Sequence, residues 1–438
     1  MRRFAWLLVV ILLIASPVEG GPLNAHREVL PNGIVVLIAE RPAIPIVAVR
    51  AYVRAGSAFD PPDAPGLANL TAELLTRGTA RRLGPELDEA IEFVGGSLGA
   101  DAGRDGVTVS LSVLKKDLML GLDLLAEVLR EPLFPEEELT RKVKEIQAGI
   151  RASEEDPARV AVRELAGLVY RSHPYGHPVA GTEEAVGKLT RDQVVEFYRR
   201  HYRPDATILV IVGDVRRQEI IRELVSRFGR WTAPGRTPSI VLPAPSAPAV
   251  QAHRIARELK QATVYLGRPA IPFDHPDYYP LRVASYILGG GSASRLYTTV
   301  RGKAGLAYSV WSYLSVGRYG AGLFVGLQTR IDGVSEALRL VEEELVRMGK
   351  ERVSDSELAL TKAYLTGSFP LRIDTSAKLA GLLVTVEELG LGLDYPERFQ
   401  KRVEAVTTAD VQRVAKRYLD PSTLSRVTVG TPAAGKRR

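Results

Sequence analysis

The sequence predicts an α+β protein made of two related sandwich-like halves, each a mostly antiparallel sheet packed with helices. Three observations carry this expectation. Strand-like apolar runs follow one another as often as they alternate with amphipathic helices, which disfavours a doubly wound parallel sheet. The stretch TAPGRTPSIVLPAPSAPAV (232–250), with five prolines, divides the chain near its middle as an extended linker. On either side of it, TRDQVVEFYRRHYRPDATILVIVG (190–213) and TTADVQRVAKRYLDPSTLSRVTVG (407–430) share one plan: Thr cap, helix, Pro turn, apolar strand, Gly. Thr190/Thr407, Val194/Val411, Pro204/Pro421 and Gly213/Gly430 are each 217 residues apart, the mark of an internal duplication.

The expected organisation is a signal segment over 1–20, an N-terminal domain over 21–232, a linker over 233–249 and a C-terminal domain over 250–432. In the first half, strands are predicted at 33–40, 45–56 and 107–114, from apolar runs and period-two alternation. Helices are predicted at 66–77, 84–95, 116–129 and, strongly charged, 135–153. The second half offers strands at 262–270, 307–315 and 322–329, with helices at 277–288 and 332–348.

At 438 residues the chain exceeds one ordinary core, and 45% hydrophobic with 25% charged residues is the composition of a soluble globular protein. Arg2 and Arg3 precede the apolar run FAWLLVVILLIA (4–15), the layout of a secretory signal peptide. Twelve apolar residues fall short of the roughly 20 that span a bilayer. Cleavage or retention as an anchor stays open, but no later stretch is long and apolar enough to span. The expected location is outside the cytoplasm, in the periplasm. The absence of cysteine excludes disulfides and thiolate metal sites. Of the net charge of +7, four units come from the signal segment and the Lys436–Arg437–Arg438 tail. No basic stripe interleaved with aromatics follows, so no nucleic-acid partner is expected.

The stretch GLANLTAELLTRGT (66–79) carries a helical leucine stripe, Leu67, Leu70 and Leu74, and ends at Gly78. Its other face carries Asn69 and Glu73, with Ala72 beside them. These spacings resemble the zinc helix of the insulinase (pitrilysin) family of peptidases, to which mitochondrial processing peptidase belongs. There the inverted motif His-x-x-Glu-His supplies ligand, base and ligand on one helix face. Laid on this sequence, the first ligand falls on Asn69, the base on Ala72 and the second ligand on Glu73. The family's third ligand, a glutamate further along a long helix, falls on Gly149. An amide, a methyl, one carboxylate and no side chain cannot make the three-ligand site that catalytic zinc needs.

Six histidines are present: His26, His173, His177, His201, His253 and His275. His173 and His177 stand four apart in SHPYGHPVAGT, but Pro174 and Gly176 forbid the helix that such ligation uses. A structural loop is expected there, as in the family's similar segment.

The resemblance covers nearly the whole chain after the signal: REVLPNGIVVLIAE, the HPYG loop, YRPDATILVIVGDV and the second half. In LGGGSASRLYTTVRGKAGLAYSVWSYLS (288–315), Arg301 precedes Tyr308 by seven residues, as in family members. The resemblance implies that this pair binds substrate carbonyl and oxyanion across a closed chamber. Without it, Tyr308 is one residue of an alternating strand and Arg301 a cation favoured at a helix end. Gly289, Gly290 and Gly291 are either a helix stop with its turn or, by the resemblance, a loop that touches substrate. The family includes pairs in which one chain holds zinc and the other keeps only the arginine and tyrosine. The resemblance therefore implies a non-catalytic subunit of a heterodimeric zinc peptidase. Such a subunit binds no cofactor of its own, meets peptide substrates and relies on a zinc-bearing partner. The alternative is a peptide-binding or assembly protein of the same fold with no catalytic role.

Overall fold

The segment VTVSLSVL alternates apolar and polar residues, and it forms a strand whose Val107, Val109, Leu111 and Val113 are buried while the residues between them face outward. The same logic builds most of the fold in the computed structural model, which describes residues 23–235, 237, 242 and 249–431. The expected signal segment and most of the expected linker lie outside the described residues.

The first half runs β1 (Ala25–Val29), β2 (Val35–Glu40), β3 (Ile46–Val53), α1 (Leu67–Leu74), α2 (Gly84–Phe93), β4 (Ser97–Ala102) and β5 (Val107–Leu114). It continues through α3 (Leu118–Arg130), α4 (Glu136–Glu154), α5 (Pro157–Tyr170), the short α6 (Glu183–Val186), α7 (Arg191–His201), β6 (Thr207–Gly213) and α8 (Arg217–Phe228). The second half runs β7 (Ala252–Glu258), β8 (Gln261–Pro269), α9 (Tyr278–Gly289), a π-helical turn (Tyr297–Lys303), β9 (Ala307–Val316) and β10 (Ala321–Arg330). It closes with α10 (Val334–Lys350), α11 (Asp355–Gly367), α12 (Ser376–Glu388), α13 (Tyr395–Glu404), α14 (Thr408–Tyr418) and β11 (Ser425–Thr431).

The sheets are ordered β1-β2-β6-β3-β5-β4 and β7-β11-β8-β10-β9. Without β1 the two orders correspond strand for strand. Each sheet is antiparallel except for one parallel pair, β2 with β6 and β7 with β11. The duplicated anchors hold equivalent places. Thr190 and Thr407 cap α7 and α14 by accepting from Gln193 N and Asp410 N, and Pro204 and Pro421 each open the turn that follows. Gly213 is the last residue of β6 and Gly430 the last but one of β11, at φ +156° and +126°. A Cβ at Gly213 would stand 2.4 Å from the Ile46 carbonyl, so the strand crossing demands glycine there.

The halves exchange one helix each. α5 packs on β8 and β11 of the second sheet, and α12, its counterpart, packs on β3 and β6 of the first. Leu379 and Leu383 thereby share a core with Tyr52, Val210 and Val212, and Leu165 and Val169 with Phe324, Val427 and Val429. Polar ties fasten the exchange. Arg27 grips Glu387 through two 2.9 Å bonds, and Arg54 reaches the buried Glu388 at 3.0 Å. Burial still pushes the Glu388 carboxyl above its ordinary range, against the pull of Arg54 and Arg318.

Two readings of local structure change. The helix predicted over 66–77 stops at Leu74, because Gly78 and Thr79 are drawn into bridges with Leu83 and Pro132. β1, β4 and β7 were not foreseen. All three are edge strands with polar, largely exposed sequences such as SLGADA, which lack the apolar run of a central strand.

Candidate functional site

α1 is set by its first turn. Gly66 adopts φ +99° against the Ala180 carbonyl, and the Asp60 carboxylate accepts from Gly66 N at 2.8 Å and Ala68 N at 2.7 Å. Burial raises the Asp60 carboxyl to about 7, opposed by those two N–H groups. Leu67, Ala68, Leu70, Thr71, Ala72 and Leu74 are all buried. Only Asn69 and Glu73 of this helix are half-exposed, one turn apart on the same face. Ala72 has no exposed surface at all, so the position of the family's base is sealed in packing.

α4 packs against α1 and brings Lys142 to Glu73, with its ammonium 3.1 Å from the carboxylate and 3.0 Å from Glu145. Burial lowers the Lys142 pKa, but the hydrogen bonds to Glu145 and Glu73 outweigh it and hold the ammonium above its usual value. Gly149 lies two turns further along α4, exposed, with open space around its Cβ position. These residues do not fit zinc. The one carboxylate is already matched by a lysine, Asn69 offers an amide, and Gly149 offers nothing. Among the described residues, no three His, Asp or Glu side chains stand close enough to hold a metal ion.

His173 and His201 serve the scaffold. His173 accepts at Nδ1 from Tyr175 N at 3.2 Å, and its Nε2 lies 3.1 Å from the Tyr319 carbonyl on the β9–β10 turn. Tyr175 bonds Asp105 and accepts from Tyr319 N, while Arg318 N donates to Asp105 at 2.8 Å. The HPYG loop is thus a clasp between the halves. His201 is buried in α7, its ring 5.2 Å from that of Phe59 and 4.5 Å from that of Phe197. Burial holds its pKa down at about 4.

Arg301 and Tyr308 do come together. Arg301 sits in the π-helical turn, a geometry that recurs at functional positions. Its guanidinium lies 4.9 Å from the Tyr297 ring centre and 5.7 Å from that of Tyr308. Tyr308 is 72% exposed at the start of β9, which is unusual for a large aromatic. Gly289 is the last residue of α9 and buried, where a Cβ would stand 2.3 Å from Ser312 N. Gly290 lies under the Tyr286 ring, and Gly291 faces its hydroxyl.

Known proteins match this architecture along most of its length. Residues 35–183 match the family described as Insulinase (Peptidase family M16), and residues 188–365 match its companion, the peptidase M16 inactive domain. The chain belongs to the insulinase family of peptidases. An uncharacterized zinc protease of Streptomyces coelicolor is 29% identical over 92% of this chain and 88% of its own length. The uncharacterized zinc protease YmxG of Bacillus subtilis is 25% identical over 81% of this chain and 86% of its own length. The structure of a peptidase M16 inactive domain from Pseudomonas fluorescens superposes with a TM-score of 0.86 at 27% identity, covering 94% of this chain and 99% of that one. A protease from Helicobacter pylori shares the fold at a TM-score of 0.84 and 19% identity.

This insulinase-family chain therefore keeps the fold of the zinc helix with Asn69, Ala72 and Glu73 at its motif positions. Sequence reasoning located Asn69, Ala72, Glu73 and Gly149 but missed Lys142. The signal was present: Lys142 is seven residues before Gly149, two turns back on the same helix face.

Proposed function

We propose that this chain is the non-catalytic subunit of an exported, heterodimeric zinc peptidase, holding peptide substrates opposite the zinc site of its partner. One observation carries the reading. The zinc helix is intact but neutralised by Lys142 and sealed at Ala72, while Arg301 and Tyr308 are stacked and open to solvent. Aromatic contact on the guanidinium restricts its motion and leaves its N–H fork available for a substrate carbonyl. The Tyr308 hydroxyl can donate to an oxyanion forming on the same group. Water activation falls to the partner, since neither a base nor three ligands are present here.

Reconstitution with a zinc-bearing family partner tests this. The isolated chain is expected to be inactive and the pair active. Arg301→Ala and Tyr308→Phe should each lower kcat/KM by about 10²-fold, as loss of an oxyanion donor does. Full activity in both variants would remove the assigned roles. Failure to associate with any zinc-bearing homologue would favour an assembly protein of the same fold.

A further inference from the structure

A polar cleft lies in the C-terminal half, where the β9–β10 turn meets α13. Its volume of 580 Å³ is of the size that takes small organic ligands. Phe273, Tyr279 and Tyr395 form an aromatic wall, and Arg318, Arg398 and Arg402 line it from the turn and from α13.

The charges do not balance. Arg398 is paired with Asp394 at 2.9 Å, and Arg318 is occupied by the Glu388 carbonyl and carboxylate. Arg402 has no carboxylate or carbonyl partner among the described residues, and its guanidinium lies 5.5 Å from the Tyr279 ring centre. Behind the wall, Arg282 donates to the Tyr278 hydroxyl at 2.8 Å and lies 5.3 Å from the Phe399 ring centre. Arg372 stacks on Phe369 and Phe399, and its pKa is lowered by burial and then by Arg282. Among the described residues, Asp274 is the one carboxylate that lines the cleft.

Some arginines are matched closely, as Arg27 is with Glu387 and Arg295 with Glu357. Three guanidinium groups on one concave surface, with Arg402 unmatched among the described residues, make a region of positive potential that favours an anion. A guanidinium resting on a ring also keeps its planar donors free for bidentate contact with an oxyanion.

We propose that this cleft binds a small oxyanion ligand, a carboxylate or phosphate carried on a ring, with Arg402 taking the anion and the Phe273–Tyr395 wall taking the ring. The proposal does not depend on the peptidase reading. Calorimetric titration of the full chain at low ionic strength with phenyl phosphate and, separately, benzoate tests it and separates the two sources of the anion. Arg402→Gln should weaken saturable binding about tenfold, the loss of one charge-assisted bond. Arg402→Lys should recover part of it, and Arg339→Gln, on the outer face of α10, should change nothing. Thermal melting of each variant shows whether it is folded. Saturable binding with that pattern supports the site, and the probe that binds identifies the anion. No saturable binding of either probe, or equal loss in Arg402→Gln and Arg339→Gln, overturns it.

Discussion

The Lys142 ammonium stands 3.1 Å from the Glu73 carboxylate, placing a cation of the protein's own beside the position of the family's second zinc ligand. Both side chains are partly exposed, so water screens the pair and its net worth is about 1 kcal/mol or less. Lys142→Ala and Glu73→Gln should therefore shift urea midpoints little. Purified wild-type chain, dialysed against zinc and then buffer, should retain well under one equivalent of metal, and Lys142→Ala should not change that. Stoichiometric zinc in either would contradict the donor chemistry of the site.

Repairing the motif meets unequal resistance. Gly149 is exposed on α4 with nothing near its Cβ, so Gly149→Ala should stabilise the chain by about 0.5–1 kcal/mol and Gly149→Glu should be tolerated. Ala72→Glu forces a carboxylate into a position with no exposed surface and should cost about 3 kcal/mol or more. Chemical denaturation of the three variants measures the contrast.

Gly289→Ala puts a methyl against the backbone nitrogen of Ser312, where a flexible side chain cannot give way. A loss of roughly 2–3 kcal/mol is expected, comparable to other overpacked cores. A midpoint unchanged from wild type would show that α9 and β9 have room to separate.

Asp60 and His201 titrate with opposite consequences over one range of pH. The Asp60 carboxyl, near 3.9 when unfolded and about 7 when folded, adds stability below pH 4 that is lost as pH rises to 7. His201, near 6.5 when unfolded and about 4 when folded, adds stability above pH 6.5 that is lost as pH falls to 4. Each effect is on the order of 3 kcal/mol at full extent, so they offset in the wild type. Asp60→Asn should make the chain less stable on acidification from pH 7 to 4, and His201→Phe should make it more stable. Parallel pH profiles for the two variants would contradict this assignment.

The exchanged helices predict that neither half folds alone. Without α12, Tyr52, Val210 and Val212 of the first sheet lose the cover of Leu379 and Leu383. A fragment ending at residue 235 should be degraded rapidly by protease, and co-expression with residues 249–431 should protect both. A resistant first half would show that its sheet can close without α12.

Much of the fold was legible because its signals are local. The leucine stripe of α1, the alternation of β5 and the charged length of α4 each answer to a period the chain carries in itself. The duplicated Thr, Pro and Gly anchors are also local, since capping and turn geometry depend on near neighbours. The edge strands β1, β4 and β7 were not legible. One bonded neighbour and an exposed face need no apolar run; β1 and β4 pair with the next strand along the chain, whereas β7 pairs with the distant β11.

By itself the sequence determined the duplication, the family and the absence of a zinc donor set at Asn69, Ala72, Glu73 and Gly149. These are matters of residue type and spacing. Only the tertiary structure decided that Lys142 answers Glu73, that Ala72 is sealed, that Arg301 stacks with Tyr308, and that α5 and α12 cross to the opposite sheets. Each is a contact between residues far apart in the chain or on different turns, and burial and charge pairing there depend on how whole helices pack.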